Sequence, residues 1–118
     1  MAIINALASV AVNDLTASVQ WYEKLFGRRA DSRPMPEVAE WKFEGGGWLQ
    51  VYHLRARAGA GSVTFTVNNI DDQIANLRKI GIEPGNPLIT NKVKVVMIKD
   101  PDGNSIAFSQ AIDPSLAL

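Results

Sequence analysis

The chain of 118 residues contains no cysteine and a single histidine, His53. Without thiols there is no disulfide, no thiol nucleophile and no thiolate metal site, which suits a reducing compartment. Neither sign of charge prevails, with 12 Lys and Arg against 12 Asp and Glu. No basic field therefore exists to draw in nucleic acid or an anionic membrane. No apolar run approaches a membrane span, and Met1-Ala2-Ile3-Ile4-Asn5 lacks the basic start of a secretory leader. No serine stands in a motif with a histidine and an aspartate, so nucleophilic catalysis has no support. Gly45-Gly46-Gly47 precedes neither a helix nor a Lys-Ser/Thr pair, and so is not a phosphate loop. These absences leave a cytoplasmic protein without nucleic-acid or membrane partners as the expectation. With 47% hydrophobic and 20% charged residues, the chain is expected to form a single domain over 1–118 that buries a core without staples.

What is present is a repeat. Val12-Asn13-Asp14-Leu15 through Gly27 reads as a strand end, a cap and an amphipathic helix, and Val67-Asn68-Asn69-Ile70 through Gly81 says it again fifty-five residues later. Leu15, Val19, Tyr22 and Leu25 meet Ile70, Ile74, Leu77 and Ile80 at that offset. Each set falls on one helical stripe, and the recurrence points to duplication of one supersecondary unit. Before the first helix, residues 3–12 alternate as a strand with one face on a helix layer. After it, a short strand is expected at Arg29–Ser32, another at Glu37–Glu44 with Trp41 and Phe43 on one face, a glycine hairpin at 45–47, and a strand at Trp48–Leu54. Arg55–Gly61 is the linker-like stretch. The second unit repeats the order: a strand at Ser62–Val67, a helix at Ile70–Ile80, and strands at Leu88–Thr90, Lys94–Lys99 and Ser105–Ala111. The last two are joined by Asp100-Pro101-Asp102-Gly103-Asn104, a turn by its proline and its Asp-Gly corner. Asp113–Leu118 is a short tail.

The helix entry Val12-Asn13-Asp14-Leu15-Thr16-Ala17-Ser18-Val19-Gln20-Trp21-Tyr22 with Gly27, the turn Asp100-Pro101-Asp102-Gly103-Asn104-Ser105-Ile106 and the doubled βαβββ order resemble the vicinal oxygen chelate superfamily. That group holds glyoxalase I, bleomycin-resistance proteins and extradiol dioxygenases. The resemblance implies an α+β fold in which two βαβββ units, 1–56 and 60–112, form an open curved mixed sheet, a cup, with helices on the outer face. It also implies four metal-ligand positions in the metal-dependent members, one on the first and one on the last strand of each unit. Here these are Leu7, Gln50, Ser62 and Ala107. A divalent metal needs lone pairs from imidazole or carboxyl-type groups. Leu7 and Ala107 offer none, Ser62 is a poor ligand, and one amide does not hold a metal, so neither metal nor cofactor is expected.

Strand alternation aims Trp48, Gln50 and Tyr52 at one side, together with Leu7, Ser9, Ser62, Thr64, Ala107 and Ser109. The aromatics can be ordinary packing or the wall of a small-molecule pocket; the hydroxyls can line ordered water or bond a ligand. Ser9, Trp41, Trp48, Gln50, Tyr52, Ser62 and Thr64 are the candidate ligand-binding residues. His53 falls on the opposite side, as a surface histidine at a strand end. Asp100 and Asp102 are explained by their turn, and Arg28, Arg29, Arg33, Arg55 and Arg57 by solvation, with a hold on an anionic ligand as the alternative. The resulting expectation is a metal-independent binder of a flat, weakly charged organic ligand, resembling bleomycin-resistance proteins, in a cleft of a homodimer. The face so assembled carries no acid, which disfavours bleomycin itself, a cation. A divergent lyase, isomerase or dioxygenase drawing on Gln50 with His53 or Glu44, and a structural dimer with a vestigial pocket, are the alternatives.

Overall fold

Asp14 sets where the first helix begins. Its carboxylate accepts the Ala17 N–H at 3.1 Å, so Leu15–Phe26 (α1) starts with one of its free donors satisfied. Gly27, with φ of 69°, ends it in the left-handed conformation that glycine takes without penalty. In the computed structural model, which describes residues 2–113, α1 follows the strand Leu7–Val12 (β1) and precedes Ser32–Met35 (β2), Val38–Lys42 (β3) and Trp48–His53 (β4). A short 3₁₀ turn, Arg55–Arg57, leads to Ser62–Thr66 (β5), Ile70–Lys79 (α2), Leu88–Ile89 (β6), Val93–Lys99 (β7) and Ser105–Ala111 (β8). Residues 114–118 of the expected tail lie outside the described residues.

The architecture is α+β, with two open four-stranded mixed sheets ordered β1-β4-β3-β2 and β5-β8-β7-β6. In each, the first strand runs parallel to the last and the other pairs are antiparallel. The doubled βαβββ order is thus present as two copies of one topology. The molecule divides into two units, the first running to Gly61 and including Asp100–Asn104, the second holding Ser62–Lys99 and continuing from Ser105.

In the first unit Val19, Tyr22 and Leu25 of α1 are buried, as are Ala39, Trp41, Leu49 and Val51 of the sheet. Tyr22 and Phe26 both pack on the Trp41 ring, at 6.1 and 5.5 Å between centroids, and the indole N–H donates to the Arg28 carbonyl at 3.3 Å. β2 begins at Ser32 rather than Arg29. The residues before it are taken up by a clamp in which Asp31 accepts from the Arg28 guanidinium and from the Lys42 N–H at 2.7 Å, holding its carboxyl below the usual range. β2 crosses Pro34, which an edge strand with a shifted register tolerates. In the second unit Asn69 caps α2 by accepting the Asp72 N–H at 3.1 Å. Ile70 and Leu77 are buried in the same unit as Val96, Ile98, Ile106 and Phe108.

The turn Asp100–Asn104 carries the densest polar network. The buried Asp100 carboxylate accepts the Tyr22 hydroxyl at 2.7 Å and the Asn104 side-chain amide at 2.7 Å on one oxygen. Its other oxygen accepts the N–H groups of Asp102 at 3.0 Å and Asn104 at 2.8 Å. Asn104, fully buried, also donates to the Ala11 carbonyl at 2.9 Å and accepts the Gly61 N–H at 2.8 Å. Gly59 fits against this turn because it has no side chain: a Cβ there would sit 2.3 Å from the Asp102 carbonyl oxygen.

Burial, and then the neighbouring Asp100 charge, push the Tyr22 hydroxyl well above the ordinary tyrosine range. A pKa raised by folding gives stability that is complete below the unfolded value of about 10 and is lost as pH climbs above it. Tyr22→Phe is therefore expected to cost about 1–3 kcal/mol at pH 7 by removing a donor from a buried carboxylate. In denaturant unfolding, the gap between wild type and variant should narrow at alkaline pH; a gap that stays constant contradicts the assignment.

Candidate functional site

β4 lies between β1 and β3, and α1 packs on one face of this sheet only. Its two-residue period therefore divides its side chains. Leu49 and Val51 are fully buried, whereas Trp48, Gln50 and Tyr52 lie on the opposite face, half-buried. The ladder fixes their neighbours: Leu7, Ser9 and Ala11 of β1 stand beside Trp48, Gln50 and Tyr52 in turn, and Lys42, Glu40 and Val38 of β3 stand on the other side.

Gln50 is held from both sides. The Ser9 hydroxyl donates to Gln50 Oε1 at 3.2 Å, and Gln50 Nε2 donates to Glu40 Oε2 at 3.0 Å. An ionised carboxylate only accepts, so the amide orientation is chemically determined. This leaves one Gln50 N–H and one lone pair on Oε1 to meet a ligand. One ladder step away, Ser9, Ala11, Tyr52, Arg57, Ala60 and Gly61 line a cleft of about 60 Å³. The Lys42 ammonium lies 6.0 Å from the centroid of the Trp48 ring.

Of the residues expected from the sequence, Ser9, Trp48, Gln50 and Tyr52 share this face. Trp41 does not: its ladder partner is Leu49, and it is fully buried against Tyr22 and Phe26. It is core, because α1 needs a large apolar partner at that place. Ser62 and Thr64 are exposed on β5 in the second unit, paired with Ser105 and Ala107. His53 is exposed at the end of β4. The expectation that the face carries no acid is overturned by Glu40, which the β3–β4 register sets directly beside Gln50. Arg57, expected to be solvated with a hold on an anion as the alternative, lines the cleft. Neither placement is legible without the tertiary structure. The hairpin closed by Phe43 and Gly47 fixes Glu40 opposite Gln50, and the 3₁₀ turn folds Arg57 back toward β1.

The donors do not fit a metal. Leu7 contributes no lone pair, Gln50 keeps a single lone pair on Oε1 that cannot hold a metal alone, and among the described residues no three His, Cys, Asp or Glu side chains converge. No helix among them is long and apolar enough to cross a membrane.

Residues 3–108 match the sequence profile of the Glyoxalase/Bleomycin resistance protein/Dioxygenase superfamily. A glyoxalase/bleomycin resistance protein from Catenulispora acidiphila DSM 44928 is 31% identical and superposes with a TM-score of 0.82, covering 92% of this chain and 98% of its own. The chain belongs to that superfamily. TnmS3, an antibiotic binding protein from Streptomyces sp. CB03234, shares the fold at 24% identity and a TM-score of 0.81, over 94% of this chain and 98% of its own. So does a bleomycin resistance determinant encoded on transposon Tn5, at 14% and 0.76, over 92% and 98%. No curated protein matches the sequence.

From the donor set, elemental analysis of the purified protein should return far less than one equivalent of nickel, zinc, manganese or iron per chain. Near-stoichiometric metal, removed by a chelator together with a defined activity, would refute it.

Proposed function

We propose that this chain is a cytoplasmic small-molecule-binding protein that takes an aromatic organic ligand on the Gln50 face without a metal. One observation carries the reading. Gln50 is locked between Ser9 and Glu40, flanked along β4 by the half-buried rings of Trp48 and Tyr52, where a metal-dependent relative would need ligands. A fixed polar anchor between aromatic surfaces is how small-molecule sites obtain both orientation and apolar contact. Membership of the superfamily supports it, and so does the precedent of TnmS3, an antibiotic binding protein on the same fold.

The proposed ligand-binding set is Ser9, Trp48, Gln50 and Tyr52; Ser62 and Thr64 are candidates on the second unit by itself. The cleft of about 60 Å³ holds a functional group rather than a molecule, whereas sites for drug-sized ligands run to roughly 300–1,000 Å³. We therefore propose that a second copy of the chain completes the site in a homodimer. Ile3 and Ile4, 87% and 94% exposed, are available to the contact.

A thermal-shift screen of aromatic drugs and small aromatic acids should yield a hit. Tyr52→Ala or Trp48→Ala should weaken it by ~1–3 kcal/mol in fluorescence titration, the range for a lost stacking contact. Unchanged affinity in both variants would place the site elsewhere. Sedimentation at micromolar concentration should give a dimer; a monomer would remove the second wall.

A further inference from the structure

Resting on the reading that this face holds an aromatic body, we infer that the site is two-ended: Glu40 receives an amine-type donor of the ligand, and Arg57 receives a carboxylate or comparable acceptor at its other end. The Glu40 side chain is half-buried in the sheet, and Gln50 engages one of its two oxygens. Among the described residues no cation pairs with it, since the ion pairs are Arg28 with Asp31 and Arg78 with Glu83. The nearest cation on β3, Lys42, is exposed and lies over the Trp48 ring. Arg33, on β2, spends its guanidinium on the carbonyls of Val38 and Pro36. Glu40 thus keeps an acceptor for a ligand N–H, and a charge-assisted bond there is stronger than a neutral one.

At the other side of the sheet Arg57 lines the cleft with Ser9, Ala11 and Tyr52 and takes part in neither ion pair. Its planar donor fork matches a carboxylate. Between the two charges run Gln50 and then Ser9, on successive strands. Two strand spacings of ~4.8 Å separate the Glu40 and Ser9 positions by about 10 Å. A bicyclic aromatic carrying an amine and a carboxylate at opposite ends reaches from Glu40 to the Ser9 end of the cleft that Arg57 lines, with Tyr52 against its rings. Opposite charges at the two ends also resolve the difficulty of a buried ion, because each ligand charge meets a partner as it leaves water.

The test uses four probes on one naphthalene core: neutral methoxynaphthalene, naphthylmethylamine, naphthoic acid, and an aminomethyl-naphthoic acid with its groups at opposite ends. Affinities are measured by calorimetry on wild type, Glu40→Gln, Arg57→Gln and Tyr52→Ala, with thermal unfolding to confirm that each variant folds. The two-ended probe should bind about tenfold or more tighter than either one-ended probe. Glu40→Gln should weaken only the amine-bearing probes and Arg57→Gln only the acid-bearing ones, each about tenfold. If all four bind alike and Tyr52→Ala weakens them all, the aromatic site stands and the two-ended assignment is overturned. If none binds, or if Tyr52→Ala changes nothing, both readings fall. If the two-ended probe is strongest but neither charge variant alters it, the assignment to Glu40 and Arg57 is overturned.

Discussion

The two-residue period of β4 is the constraint on which the rest of the first unit depends. Leu49 and Val51 belong to the core beneath α1, so Trp48, Gln50 and Tyr52 have nowhere else to point. A register slip of one residue would carry the apolar pair onto the open face and drive the amide and the indole under the helix. Two devices prevent it. The Phe43–Gly47 turn pins β3 against β4 with Trp41 opposite Leu49, and the parallel pairing with β1 places Ser9 opposite Gln50. Packing on one side of the sheet thus decides chemistry on the other.

The same constraint explains how much could be read from the residues. The helices were legible because Asp14, Gly27, Asn69 and Gly81 bracket stripes of period 3.6, and the repeat at fifty-five residues showed the same unit twice. The open face was legible along β4, where alternation needs no partner. It was not legible across strands. Trp41 looked like a candidate wall because aromatic character alone does not say which face a residue occupies; its pairing with Leu49 does. Glu40 is hidden from the sequence for the same reason, since its place beside Gln50 depends on where the hairpin closes. β2 was displaced by the Arg28–Asp31–Lys42 clamp, in which Arg28 and Asp31 are local but Lys42 comes from the far side of the β2–β3 hairpin, beyond the reach of a local pattern.

Within a superfamily whose name spans glyoxalases, resistance proteins and dioxygenases, the first unit has turned its donors on one another. Ser9, Gln50 and Glu40 satisfy each other across three strands instead of converging on a point in space. On the proposal that this face binds a ligand, it would read the edges of a molecule. It presents fixed donors and acceptors in a line, where a metal centre would need them arranged around a sphere.

The turn Asp100–Asn104 reaches across the sequence to complete the first unit. Tyr22 waits 78 residues for Asp100, and the Ala11 carbonyl waits 93 for the Asn104 amide. On a ribosome the amino-terminal half therefore emerges with its core partly formed and its keystone still unsynthesised. A fragment ending at the linker would leave the Tyr22 hydroxyl and the Ala11 carbonyl without the partners that Asp100 and Asn104 supply. Closing these two contacts costs the loop entropy of 78 and 93 residues, a cost that can be met only when most of the polypeptide exists.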